Sequence, residues 1–165
     1  MSKKSLICAL LLLAISVTAY AAEPHKPSPS DKCAVCGMLV GPHSKWLAQI
    51  IFKDGTVAFF DGPKDMFKFY CDIPKYNPNK TQADIEDIYV TEYYTAKPVK
   101  AQTALYVVGS DVMGPMGKEF VPVTPDKANN FMVDHKGQKT FKFDEIKAAD
   151  LQSGETGMSH AVHKH

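Results

Sequence analysis

The chain has 165 residues and a nearly balanced charge, 19 Lys plus Arg against 18 Asp plus Glu, for a formal net charge of +1. No basic run marks a nucleic-acid contact, and no one-signed face marks a polyanionic substrate. The 45% of hydrophobic residues include an apolar N-terminal run, so the remainder is more polar and suits one compact core or two very small ones.

Met1-Ser2-Lys3-Lys4 is a short positive leader. Leu6 to Val17 is an apolar stretch of about a dozen residues, broken only by Ser16, which fits a signal-peptide core and is too short for a membrane span of roughly 20. Ala19-Tyr20-Ala21 fits the small-x-small cleavage rule, with the cut expected after Ala21. Residues 1–21 are therefore expected to be removed on export; left uncut, they would hold the chain at the membrane. Cys8 follows Ile7, not a small residue, and does not read as a lipidation site. Residues 22–32 carry Pro24, Pro27 and Pro29 and read as an extended, disordered linker.

Cys33-Ala34-Val35-Cys36-Gly37-Met38 is the most informative segment. Two thiols and a thioether within six residues favour a soft d10 cation, above all Cu(I). A thioether is a poor Zn(II) ligand, which tilts the reading away from a structural zinc module. With Cys8 removed, Cys33, Cys36 and Cys71 remain, an odd number in an oxidising compartment. A redox C-x-x-C is expected at a helix start, where the thiol pKa is lowered. Gly37 and Pro42 instead make this stretch a loop or short strand. Metal binding is favoured, and a thiol–disulfide oxidoreductase using Cys33 and Cys36 is the alternative. Cys71 ends a Phe-rich amphipathic stretch and reads as a buried small hydrophobe. His43 is a nearby imidazole on a surface loop.

Further along, Trp46–Phe52 and Thr56–Phe60 read as a hairpin around Asp54-Gly55. Pro63 to Tyr70 reads as a helix entered through Asp61-Gly62, and Ile88–Tyr94 as a returning strand. The same order then recurs. Ala104–Val108 and Glu119–Val123 are strand-like, separated by a loop from Gly109 to Gly117. Thr124 can cap a helix started by Pro125 and running from Asp126 to Asp134. His135-Lys136-Gly137 closes it, with Gly137 as the stop. Thr140–Phe143 is a short strand and Asp144–Leu151 a terminal helix. The expected fold is α+β, two small ββαβ repeats packed together, spanning 33–97 and 98–151.

Met113 and Met116 sit on the glycine-rich loop of the second repeat, where flexible thioethers suit a Cu(I) carrier. His135 can add an imidazole. Residues 152–165 form a flexible tail with Met158, His160, His163 and His165, a weak binder of divalent metals.

Cys36-Gly37-Met38, Phe59-Phe60-Asp61, Val108-Gly109-Ser110, Met113-Gly114-Pro115-Met116-Gly117, His135-Lys136-Gly137 and Phe143-Asp144-Glu145-Ile146 together resemble the NosL family, the accessory proteins of nitrous oxide reductase. The resemblance runs from about Cys33 to Ile146 and rests on the order and spacing of the motifs. It implies a periplasmic Cu(I) chaperone, not an enzyme, supplying the copper of nitrous oxide reductase, and two ββαβ halves distantly like the organomercurial lyase fold. The family's C-x-M falls on Cys36 and Met38, its glycine-bracketed methionine on Met116, and the histidine of its H-G-G-like turn on His135, where Lys136 replaces the first glycine. Cys33 is an addition to that pattern, a further ligand or an oxidative partner of Cys36. The implied partners are a membrane copper exporter or carrier and an apo copper enzyme. Whether copper sits within one chain or in a homodimer is left open. A lyase would need a further cysteine and a carboxylate in one pocket, for which Cys71 and Asp61 are available.

Overall fold

A computed structural model describes residues 22–152. The leader, the bulk of the C-terminal tail and their expected roles lie outside the described residues. Within them, β1 (Ala48–Phe52), β2 (Val57–Phe60), α1 (Pro63–Cys71), a single turn α2 (Ile73–Tyr76), β3 (Ile85–Thr91) and β4 (Pro98–Lys100) make the first half. β5 (Leu105–Val108), a short hairpin of β6 (Met113–Gly114) and β7 (Gly117–Lys118), β8 (Val121–Val123), α3 (Ala128–Asp134), β9 (Lys139–Lys142) and α4 (Ala148–Gln152) make the second.

The sheets run β2-β1-β3-β4 and β8-β5-β9, all pairs antiparallel. In each half the first strand of the ββαβ unit is central, flanked by the second and third. The fold is mixed helix and sheet, with the order strand, strand, helix, strand occurring twice. β4 pairs with β3 and so extends the first sheet.

Local chemistry accounts for the turns. The β1–β2 hairpin closes through Gly55 at φ 82°, whose N–H donates to the Phe52 carbonyl at 2.8 Å, a conformation glycine adopts without cost. Pro63 stands in the first turn of α1, where its missing N–H is not needed. Several details differ from the sequence expectations; among them, the terminal helix begins only at Ala148, after a 3-10 turn at Phe143–Glu145. Thr124 does not cap α3; its carbonyl accepts from Lys127 N at 2.9 Å in a preceding turn, and the helix begins at Ala128. The left-handed residue after α3 is Lys136, at φ 55°, not Gly137. Gly137 is required for space, since a Cβ there would lie 2.5 Å from Val107 and 2.6 Å from the Met132 sulfur. The loop after β5 folds on itself as the β6–β7 hairpin.

The segment expected to be a disordered linker is extended, as its prolines require, yet it is held on the first sheet. His25 N donates to Gln49 Oε1 at 2.7 Å, and Gln49 Nε2 returns a bond to His25 O at 3.1 Å. β1 is buried at every position, a pattern of strands covered on both faces.

One core crosses the two halves. Phe67 of α1, fully buried, meets Tyr106 of β5 edge-on at 4.9 Å between ring centroids, Phe143 at 5.2 Å and Phe120 at 5.9 Å. Such contacts add to the area each ring buries. A smaller core of Val107, Val121, Val123, Ala128 and Phe131 lies in the second half, with Trp46 and Tyr93 of the first half packed against it. The halves are joined again at the start of α1. Gly62 caps this helix without a side chain, and the buried Glu119 does the work from across the interface, its Oε1 accepting from Lys64 N and, at 3.0 Å, from Phe120 N. A Cβ on Gly62 would lie 2.4 Å from Glu119 Oε2.

Two outcomes follow from this packing. Phe67→Ala is expected to cost about 3–5 kcal/mol and to lower the stability of both halves in one transition, read by urea unfolding followed at separate probes. Burial pushes the Glu119 carboxyl from an ordinary 4.5 up to about 8, with its two backbone donors only partly opposing. Between those values the native chain keeps a proton that the unfolded chain has lost, so stability falls as pH rises through the window. Glu119→Gln keeps the acceptor oxygen and is expected to remove that decline, measured as the difference in urea midpoint between about pH 5 and about pH 8.

Candidate metal site

The site is built by attaching a loop to a sheet edge. β2 ends the first sheet, and the C-x-x-C-G-M loop docks beside it. Cys33 forms a parallel bridge with Phe59, and Ala34 N donates to Phe59 O at 2.9 Å. The loop closes on itself through Cys33 N to Met38 O at 2.7 Å and Gly37 N to Cys33 O at 3.0 Å. Gly37 takes φ 77°, which a side chain would strain. Phe60 then leads directly to Asp61, and α1 begins two residues later, bringing Asp65 round its first turn.

The result is a compact group. One ligand atom from each of Cys33, Cys36, Asp61 and Asp65 lies within 4.8 Å of all the others. The Cys33 thiol donates to Asp65 Oδ2 at 3.4 Å, and the Cys36 thiol to Asp61 Oδ1 at 3.5 Å. Cys33, Asp61 and Asp65 are buried, while Cys36 is exposed. Lys68 pairs with Asp65 at 3.3 Å, one turn along α1. Asp61 Oδ2 is buried without a hydrogen-bond partner, and such an oxygen calls for a cation, a proton or an unseen donor.

Both cysteines are free thiols. Burial is the main cause that pushes Cys33 far above the ordinary thiol range, and the same cause raises Cys36. The Met38 N–H partly opposes this at Cys36 by donating to its sulfur, while the neighbouring carboxylates add to the rise. The thiols are therefore protonated and donate to the carboxylates. That is unsuited to a redox C-x-x-C, which needs a lowered thiol pKa. It suits a site that gives up protons when a metal enters.

The expected donors are only partly gathered. Cys33 and Cys36 meet in this group, and Met38 sits half-buried two residues from Cys36. Met113 and Met116 stand exposed on the β6–β7 hairpin, at 55% and 48% of their surface. That hairpin rests on Glu119, since a Cβ at Gly114 would come within 3.0 Å of the Glu119 side chain. Glu119 thus touches both the methionine hairpin and the start of the helix that carries Asp65.

His135 lies elsewhere. Its Nδ1 is 3.3 Å from Asp111 Oδ1, its Nε2 is 3.4 Å from the Tyr93 hydroxyl, and its ring packs on Phe131. It is outside the four-residue group, as is His43, in the 3-10 turn Gly41–Trp46. Cys71, at the far end of α1 from Asp61, is also outside it. The cysteine and carboxylate considered for a lyase are therefore separated by the length of that helix. Asp65 was not read from the sequence as a site residue. The signal available was its place four residues after Asp61 at a proline-started helix, which turns both toward one end.

Comparisons with known proteins identify the family. The NosL family model matches residues 24–151. The crystal structure of the copper chaperone NosL from Shewanella denitrificans superposes with a TM-score of 0.63 at 26% sequence identity, covering 77% of this chain and 97% of that one. A search of curated proteins finds no match. A family match over most of the chain, with an agreeing fold, makes the assignment: the chain belongs to the NosL family.

Proposed function

We propose that this protein is a copper chaperone that binds Cu(I) at the thiol site in the periplasm and delivers it to an apo copper enzyme, with nitrous oxide reductase the recipient implied by the family. The single observation that carries the reading is the pair of neighbouring free thiols, one buried and one exposed, on a loop that also holds Met38. The copper chaperone NosL of Shewanella denitrificans, similar in fold and sequence, supports the same cargo.

The proposed action is carriage, not catalysis. Cu(I) has no ligand-field preference, so two- and three-coordinate sites exchange donors one at a time. Cys36, exposed at the rim, is the donor that an incoming or departing partner can reach. Met38 supplies a neutral, replaceable thioether, and Cys33 a buried thiolate that adds affinity. Met116 and Met113, on the hairpin beside Glu119, are the donors that close over the ion. His135 joins only by giving up its bond to Asp111 or Tyr93. The carboxylates are hard oxygen donors and poor Cu(I) ligands; their part is to accept the thiol hydrogen bonds until the metal enters and the protons leave. Copper would come from a membrane exporter or carrier.

The carboxylates also favour a second reading. Two cysteines with two aspartates form a donor set that Zn(II) accepts in tetrahedral geometry. Metal analysis after anaerobic purification separates the two: copper supports the chaperone reading, and stoichiometric zinc overturns it. Insulin reduction tests the disulfide alternative, and the raised thiol pKa values predict no turnover.

Cys36→Ser is expected to abolish tight Cu(I) binding and Met38→Ala to weaken it by on the order of tenfold or more, as removal of a ligand does. Competition with a Cu(I) chelator reads both, and an unchanged affinity in Cys36→Ser would remove the reading. Because Cys36 holds its proton above the usual thiol range, each thiolate formed releases a proton at neutral pH. Apparent affinity is therefore expected to climb with pH, by about tenfold per pH unit for each proton released, and to level off only above the thiol pKa.

A further inference from the structure

The docked N-terminal segment is explained neither by the sheet topology nor by the metal site. Its first described residue is bonded at both ends of its backbone. Ala22 N donates to Asp87 Oδ2 at 2.7 Å, and the Tyr89 hydroxyl donates to Ala22 O at 2.6 Å. Asp87 is only 14% exposed, and its second oxygen pairs with Lys100, whose ammonium lies 5.0 Å from the Tyr89 ring centroid. Three residues later, the buried Gln49 amide grips His25 through both its donor and its acceptor.

The register shows that these stations form one track. Gln49 lies opposite Tyr89 on one side and opposite Phe59 on the other, so Tyr89, Gln49, Phe59 and, two residues from Tyr89, Asp87 share one face of the sheet. The chain enters at β3, crosses β1 at Gln49 and reaches the β2 edge, where Cys33 pairs with Phe59. It is a strap whose far end is the metal loop.

We infer that Asp87 and Tyr89 form a receptor for the first residue of a chain cleaved after Ala21, Asp87 taking its α-ammonium group and Tyr89 its carbonyl, so that processing on export fastens the strap that carries the thiol loop. A signal peptidase adds water across the Ala21–Ala22 amide, leaving a carboxylate on Ala21 and an α-ammonium on Ala22. Before cleavage, the Ala22 nitrogen is an amide with one hydrogen and no charge. After it, the same nitrogen carries three hydrogens and a positive charge, and the bond to Asp87 becomes a charge-assisted one, shorter and stronger than its neutral counterpart. An expectation from sequence and a geometry meet at Ala22. The small-x-small rule sets the cut from sequence, and the carboxylate, the tyrosine hydroxyl and the strap set the receptor from geometry. The inference rests on the export reading and not on the identity of the metal.

The test uses the protein produced with its own leader in a secreting host. Intact mass identifies the first residue, expected to be Ala22. The processed protein is compared with a variant carrying Gly-Ser inserted directly before Ala22, and both are made again with Asp87→Asn. The insertion is expected to lower the melting temperature by about 4 °C and to raise amide exchange across residues 22–36 by on the order of tenfold, the loss of one charged hydrogen bond. In the Asp87→Asn background the insertion is expected to add nothing further. A first residue other than Ala22 overturns the inference at its premise. With Ala22 established, unchanged exchange and melting in the insertion variant overturn the receptor itself. If Asp87→Asn does not fold for want of a partner for Lys100, the insertion variant, which leaves both residues intact, decides alone. Retained Cu(I) binding in any of these outcomes leaves the chaperone reading standing by itself.

Discussion

The pairing of Cys33 with the edge of β2 is the contact on which the site depends. An edge strand offers unpaired N–H and C=O groups, and here the Phe59 carbonyl is used to hold a six-residue loop in place by the Ala34 amide. That one attachment sets the buried sulfur of Cys33 beside the residues that follow β2, so Asp61 and Asp65 face the two thiols without any long-range adjustment. Gly37, with its left-handed backbone, turns the loop back so that Cys36 stays at the rim while Cys33 goes under. Burial and access are divided between two residues three positions apart, and a carrier needs both.

Like charges set the protonation of the thiols. Two thiolates beside two carboxylates would place four negative charges within 4.8 Å, a concentration that low-dielectric surroundings do not tolerate. The thiols remain protonated and donate to the carboxylates instead. A cation relieves the same constraint by a different route, displacing protons and taking the sulfurs as ligands. Lys68 stays at Asp65 as a fixed counter-charge. Soft sulfur then decides which cation is held, while the aspartates govern what it costs to enter.

Much of the fold was legible in local signals. Asp54-Gly55 marked the first hairpin, Gly62-Pro63 the start of α1, and the run from Thr140 the last strand, which ends at Lys142 with Phe143 opening a 3-10 turn. The repeat of strand, strand, helix, strand emerged because each unit carries its own turn residues. What was missed came from contacts distant in sequence. Thr124 looks like a cap, but the chain makes a turn there and α3 starts later. Gly137 looks like a helix stop, yet the close approach of Val107 and Met132 is what requires it. The prolines of the linker speak for extension and say nothing of Gln49, Asp87 and Tyr89, which hold it down. At the site, the cysteines and Met38 announce themselves by spacing, whereas Asp65 joins only through the docking of the loop beside β2. His135 keeps the end-of-helix position read from sequence, but its ring is taken by Asp111, Tyr93 and Phe131.

Copper X-ray absorption on the reduced, leader-free protein loaded with one equivalent of Cu(I) tests the central claim most directly. A monovalent edge with sulfur as the dominant neighbour, and fewer sulfur neighbours once Met38 is replaced, is the result this account predicts. A shell of oxygen and nitrogen alone, or a sulfur count indifferent to Cys36 and Met38, would contradict it.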